Sequence, residues 1–279
     1  MLTTFRRGTL VTSGVVIFVA TIASVAGASG VVPPRDPVSN VPASPAFNMT
    51  GGHNYMVGTK LPSCWHWRES ELAPNALSTE CVKAEMQATN HAHRLEHIAG
   101  ITLPRNFSRL NANEQSLVLV NLERVSRGEP PVVGLSKAAD VMAQRAAHLN
   151  EDPILSNQSA IHGATGGWTA NWAAAVSPLD ANYSWMYLDG WAGKGHTFNY
   201  ACTSPSARGC WGHRNDILVN SAELPCYAKS CTLVMGAGNV AGNWAKTYNS
   251  YTELIVQVAG ATPPLIYTWK QAVAAGARA

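Results

Sequence analysis

Two helix-period segments followed by two strand-period runs, with a long Gly- and Trp-rich stretch between them, constrain the fold of this chain more than any other feature. After Asn111, the residues Leu117, Val118, Asn121, Leu122 and Val125 fall on one helical stripe. Glu123 and Arg127, four apart, read as a favourable exposed pair. Gly128, Pro130 and Pro131 end that helix, and Ser136 caps the next, whose core face is Ala139, Met142, Ala143, Ala146 and Leu149. An earlier helix is predicted over 79–99, capped by Ser78 or Thr79 and ended by Gly100. Residues 232–236 and 251–258 are short runs with β-branched or aromatic residues, and Gly238, Gly242 and the Asn243/Asn249 region are expected to turn the chain between them. Helices first, then hairpin-linked strands, argue for an α+β fold with an antiparallel sheet. The stretch 154–197 yields only a short helix near 179–188, and a further helix is expected from His213 to about Val219.

The first 28 residues read as an export signal. Arg6 and Arg7 precede a small-to-apolar segment over 14–25, and Ala26-Gly27-Ala28 fits a small-x-small cleavage site. The rival reading, an uncleaved anchor over 10–28, is weakened by its Ser, Thr and Gly residues. No later segment is long and apolar enough to span a bilayer, so no membrane span is expected after signal removal. Six cysteines agree with an oxidising, extracellular or cell-surface destination. Nested local pairing, the simplest of the fifteen possible connectivities, joins Cys64–Cys81, Cys202–Cys210 and Cys226–Cys231. A cysteine metal site is the alternative, but no CxxC pair is present. Losing Arg6 and Arg7 and no acid lowers the formal charge from +3 to +1. A nearly neutral chain without a Lys/Arg cluster argues against nucleic acid as a partner. The expected organisation is a linker or loose arm over 29–62, an N-terminal helical extension over 63–109 containing Cys64–Cys81, a main domain over 110–262 and a C-terminal tail over 263–279.

The chemistry concentrates in Cys210-Trp211-Gly212-His213-Arg214-Asn215-Asp216-Ile217-Leu218, which puts a histidine after a Trp-Gly turn at the start of a short helix. A second histidine, His162, lies beside Gly163, Gly166 and Gly167. Two neutral imidazoles facing one cleft can share a divalent ion or polarise a water. Asn121-Leu122-Glu123-Arg124, followed by Gly128, Pro130, Pro131 and Leu135, resembles the opening helix of the CAP superfamily, the group of cysteine-rich secretory proteins, insect venom antigens and plant pathogenesis-related proteins. The segment from Trp211 to Leu218 is similar to the bacterial form of its C-terminal signature, and Gly236 and Gly238 match the glycines before its last strand. The resemblance covers about residues 110–260. It implies a three-layer α-β-α sandwich with a central antiparallel sheet and an open cleft holding two histidines and two glutamates, of which the histidines can bind zinc or another divalent cation.

Carried over by position, the second histidine is His213 and the first is His162. Asn171 matches the family asparagine, while Ala170 stands where one glutamate belongs. Asp189 takes the place of the other, one position late and one methylene shorter. Between Asp152 and Ala222 the only acids are Asp180, Asp189 and Asp216, so the two-glutamate cleft is absent in its usual form. The first expectation is therefore a secreted CAP-like protein with a degenerate cleft. That cleft, formed by His162, Asn171, Trp172, Trp185, Asp189 and His213 and rimmed by further aromatics (Trp168, Tyr187, Trp191, Trp211), would bind a small apolar ligand such as a lipid, a glycan or a partner protein. The alternatives are a metal-dependent hydrolase using His162 and His213 with Asp189 as auxiliary base, and a structural surface protein. Asn121 is expected to hydrogen-bond backbone in a neighbouring loop, and Arg124 to pair a carboxylate such as Asp189 or Asp216, both as structural residues. His93-Arg94-Leu95-Glu96-His97 also matches an inverted zinc-peptidase pattern, although a solvated histidine-rich helix explains it more simply. Nucleophile-elbow, phosphate-loop and dinucleotide signatures are missing.

Overall fold

The computed structural model describes residues 78–191, 199–204, 206–219, 224, 230–244 and 248–279. The expected export signal, the 29–62 arm, Cys64 and Cys226 lie outside the described residues. Helix α1 (Thr79–Leu95) begins at Ser78, whose hydroxyl accepts the Cys81 N–H at 3.3 Å. It stops short of 99 because His97 turns left-handed at φ 59°. Helix α2 (Ala112–Ser126) opens with a reciprocal capping box between Asn111 and Glu114, which satisfies two otherwise orphaned N–H groups. Strand β1 (Gly134–Ser136) runs directly into helix α3 (Lys137–Leu149). Strand β2 (Ala164–Ala175) precedes helix α4 (Pro178–Tyr187), which Ser177 caps and Pro178 pre-organises in its first turn. After the short helix α5 (Gly212–Leu218) come the long strands β3 (Cys231–Trp244) and β4 (Tyr248–Ala259). Strand β5 (Leu265–Thr268) and helix α6 (Trp269–Ala274) follow.

The five strands form one sheet in the order β2-β4-β3-β1-β5. The α+β expectation holds, but the sheet is mixed and not purely antiparallel, because β1 pairs parallel with β3 through Leu135 and Met235. Two further differences have local causes. Strand β2 is invisible to a propensity reading because its run Ala-Thr-Gly-Gly-Trp-Thr-Ala-Asn-Trp-Ala-Ala-Ala holds few β-branched residues; its ladder with β4 makes it a strand. Gly238, expected in a turn, lies inside β3 opposite Thr252. A side chain on Gly236 or Gly238 would collide with the backbone of α3 at Ala139 and Ala143, so these glycines let the helix lie close on the sheet.

Alternate residues of β3 and β4 feed two cores. Val234, Leu254, Val256 and Val258 pack with Ala139, Met142 and Ala143 of α3. Leu233, Met235, Ala237 and Ile255 pack with the apolar residues of α1, α2 and α4. Helix α1 contributes Cys81, Ala88 and Ala92 to that second core, so it is built into the domain and is not a separate extension. Residues 263–279 are likewise no tail: β5 pairs with β1, and Arg278 exchanges backbone hydrogen bonds with Thr102. Cys202–Cys210 forms the expected disulfide. Cys81 and Cys231 are also disulfide-bonded.

The Glu123–Arg127 pair, expected at the surface, is buried and is the hub of a charged network. Glu123 Oε2 accepts from Arg127 Nη1 (2.6 Å), Tyr187 Oη (2.7 Å) and His93 Nε2 (2.9 Å). The other nitrogen of His93, Nδ1, meets the Ala99 carbonyl at 2.6 Å, so both ring nitrogens face acceptors. Glu96 receives Arg127 Nη2 at 3.0 Å and both terminal nitrogens of Arg214, at 3.0 and 2.7 Å. Helices α1, α2, α4 and α5 are thereby tied at one point. Burial alone would raise the Glu123 pKa, but the charges of His93 and Arg127 outweigh it and hold the carboxyl well below the usual range. The histidines of the peptidase-like pattern are thus divided: His93 is locked in this network, while His97 is exposed beyond the end of α1.

Two predictions follow from these buried carboxyls. Glu123→Gln leaves its cationic partners underpaired and should cost about 3–5 kcal/mol in urea denaturation at pH 7. Because the folded-state pKa of Glu123 is depressed, its contribution is present above the unfolded carboxylate pKa and is lost as pH falls, so the deficit of the variant should shrink in acid. Glu85 behaves oppositely: burial, with Asp180 nearby, pushes its pKa well up while Ser177 donates to it at 3.2 Å. It destabilises the fold increasingly as pH rises above the unfolded value. Glu85→Gln should therefore gain stability relative to the parent between pH 4 and 8; a pH-independent difference in melting temperature would refute this.

Candidate functional site

Helix α5 is held against the rest of the domain from three directions. The Cys202–Cys210 disulfide closes the loop before it. Trp211 then adopts a left-handed conformation (φ 63°), strained for a non-glycine residue, and its N–H donates to the Asp189 carbonyl at 3.1 Å. Arg214, buried, reaches back to Glu96 and to the Met186 carbonyl at 2.9 Å. On the sheet side, Asn171 of β2 donates from Nδ2 to the His213 carbonyl at 2.9 Å, and Thr169 donates to the Asp216 carbonyl at 2.9 Å.

This scaffold fixes an imidazole–carboxylate pair. Asp189, just beyond α4, is buried, and its Oδ1 meets His213 Nδ1 at 2.5 Å. Asn199 Nδ2 donates to the same oxygen at 2.6 Å, and Oδ2 accepts the Arg214 N–H at 3.2 Å. The carboxylate fixes the ring's orientation and leaves Nε2 outside the pair, on a side chain 26 % exposed. Burial would lower the His213 pKa, but the hydrogen bond and charge of Asp189, reinforced by Asp152 and Asp216, raise it above its ordinary value.

Three further acids belong to this group. Asp152 accepts the backbone N–H of Trp172; burial raises its pKa while His213 and that hydrogen bond oppose the rise. Asp216, one turn along α5, is pushed up to about 7 by burial, with the charges of Asp152 and Asp189 adding to the shift and His213 opposing it. Glu253 of β4 lies beneath and is pushed up to about 8, chiefly by burial. Its Oε1 accepts from Asn171 Nδ2 at 2.7 Å, while Glu253 Oε2 and Asn171 Oδ1 are buried without a protein partner. Four carboxyl groups thus gather about one imidazole, and burial pushes two of them, Asp216 and Glu253, up to about 7 and about 8.

The sequence-predicted residues divide between this group and other places. Asn171, Asp189 and His213 come together. His162 does not: it is exposed just before β2, whose first residue Ala164 pairs with Val258, whereas Asn171 pairs with Glu253. At about 3.3 Å per residue, the strand between those two pairings covers on the order of 17 Å. The two histidines therefore do not share an ion. Trp185, Tyr187 and Trp211 are core residues. Trp168 and Trp172 alternate with Asn171 along β2 and so face the α3 side of the sheet, where Trp172 meets Trp244 edge-on. The aromatic rim thus does not form. Asn121 clasps Val132 through both its N–H and carbonyl (2.7 and 2.9 Å), as expected. The hydrogen bonds of Arg124 go to the carbonyls of Pro130, Ile217 and Val219, so it caps chain ends near α5 in place of the expected pairing with Asp189 or Asp216.

Zinc does not fit this set. A catalytic zinc takes three protein ligands, His213 Nδ1 is committed to Asp189, and among the described residues no group of three or more His, Cys, Asp or Glu side chains is arranged to hold a metal ion. Asp152, Asp216 and Glu253 were missed as site residues because they come from a loop, a helix and a distant strand, with no shared spacing. Asp216, two before the end of α5 and three after His213, was the one with a signal, since one helical turn separates it from the imidazole. Comparisons with known proteins found no matching family model, no matching curated protein and no matching solved structure. Among the described residues, no helix is long and apolar enough to cross a membrane.

If Asp189 sets the ionisation of His213, Asp189→Asn should lower the His213 pKa in an NMR pH titration. An unchanged titration curve would remove Asp189 from that role.

Proposed function

We propose that this chain is a secreted CAP-like protein, built as a three-layer α-β-α sandwich, that acts by binding a ligand at the cleft around His213. The Cys202–Cys210 disulfide and the bonded state of Cys81 and Cys231 support an oxidising destination. The packing of α3 on one side of β3 and β4, with α2 and α4 on the other, supports the sandwich. Of the ligand classes considered, one bearing hydrogen-bond donors or positive charge suits the site best, as on a glycan or a basic segment of a partner protein. The observation that carries this reading is the acceptor-rich ring of Asp152, Asp189 and Asp216 around a partly exposed imidazole. A lipid finds less support, since Trp185, Tyr187 and Trp211 are taken up by the core.

Calorimetric titration with an amino-sugar oligomer, a lysine-rich peptide and a sterol separates these ligands. Donor-bearing probes should bind, and His213→Ala with Asp216→Asn should abolish that binding. For the lysine-rich peptide, affinity should rise from pH 6 to 8 as Asp216, with its pKa near 7, ionises. Sterol binding that survives both substitutions would overturn the reading.

A further inference from the structure

Away from His213, on the side of the sheet where β1 and β5 lie, a cavity of about 260 Å³ opens where five elements converge. Glu114 and Asn113 reach it from the first turn of α2, Leu135 from β1, Asp140 from α3, Asn239 from β3 and Ile266 from β5. Its polar side chains are held in place by one another and by the sheet. Asn239 Nδ2 donates to Asn113 Oδ1 at 3.1 Å, and Asp140 Oδ1 accepts the Ala237 N–H at 2.8 Å and is further supported by Asn113. Glu114 Oε2 accepts the Asn111 N–H at 3.0 Å, which leaves acceptor capacity on its other oxygen.

We propose that this cavity is a binding site for a small hydroxyl-rich molecule of about one sugar ring. Its volume falls below the roughly 300–1,000 Å³ of drug-sized pockets, which excludes a lipid chain or an extended peptide. Two carboxylates and three primary amides (Asn111, Asn113 and Asn239) supply acceptors, which hydroxyl groups satisfy through short O–H···O contacts. Leu135 and Ile266 present apolar surface for the C–H face of the ring. A bare calcium ion fits less well, because it takes 6–8 oxygen ligands, whereas Asn113 Oδ1 already accepts from Asn239, Asn111 Oδ1 from the Glu114 N–H and Asp140 Oδ1 from the Ala237 N–H. The site is independent of the His213 cleft, with which it shares no residue.

The test follows the side-chain amides of Asn113 and Asn239 by ¹H–¹⁵N NMR in the intact protein, titrated separately with glucose, N-acetylglucosamine and calcium chloride. A sugar should produce saturable shifts of both amides. Ile266 is 55 % exposed, so Ile266→Trp should fold normally, keep the parent melting temperature, narrow the mouth and weaken the sugar about tenfold or more. No shift with either sugar, shifts with calcium alone, or shifts that persist unchanged in Ile266→Trp would each overturn the proposal.

Discussion

A cluster of ionised side chains sealed inside protein has to be complete, because each charge left without its partner costs several kcal/mol. Glu123, Arg127, Glu96 and Arg214, with His93 and Tyr187 bridging them, form such a cluster, and each member comes with partners from other helices. Its value lies less in net stability than in specificity, since a hydrophobic set of the same volume could pack in several registers. Here side chains from α1, α2, α4 and α5 converge on Glu123 and Glu96 in one arrangement. The apolar residues of α1, α2 and α4 then fill the space around that arrangement.

The same cluster reaches the His213 group through Arg214. Its guanidinium is fixed by Glu96 and Met186, its backbone N–H is fixed by Asp189, and His213 is its immediate neighbour. The imidazole is thus not free to follow a ligand; it sits on a helix whose position α1 helps to set. Rigidity of this kind suits recognition by pre-placed groups, because little conformational freedom is lost when a ligand arrives. It also gives the helix before the expected main domain a role that no local pattern revealed.

What could be read beforehand follows the range of the interactions involved. Helix ends set by caps within four residues were legible in part: Ser78 caps α1 as its type predicts, whereas Ser136, expected to cap α3, makes no side-chain capping hydrogen bond. The Cys202–Cys210 bridge, which spans eight positions, was legible. Glu123 and Arg127 looked like a solvated pair because their four-residue spacing says nothing about what α1 places above them. Strand β2 was hidden because its alanines and glycines carry no strand preference, and only the partner β4 defines it. In the site, Asp189 was legible by its position relative to a motif, whereas Asp152 and Glu253 meet His213 only through tertiary closure. His162 shows the reverse error: a glycine run beside a histidine suggested a cleft, and the register of β2 carries it away.

The location of the site has a reason in the sheet itself. Strand β2 is an outer strand, and among the described residues one side of its backbone has no neighbouring strand. At Trp172 that unpaired side is taken by two side chains from elsewhere, the Trp185 indole N–H on its carbonyl at 3.1 Å and the Asp152 carboxylate on its N–H. One residue earlier, Asn171 turns its amide to the His213 carbonyl, so α5 is pinned against the same strand. Capping this edge therefore requires acidic and polar groups to converge on β2 from the loop before it and from the helix after it. His213 stands among them as a consequence. The protection of an exposed strand and the gathering of acidic groups about His213 are one piece of chemistry, and replacing Asp152 by an apolar residue would open the strand edge and thin that group together.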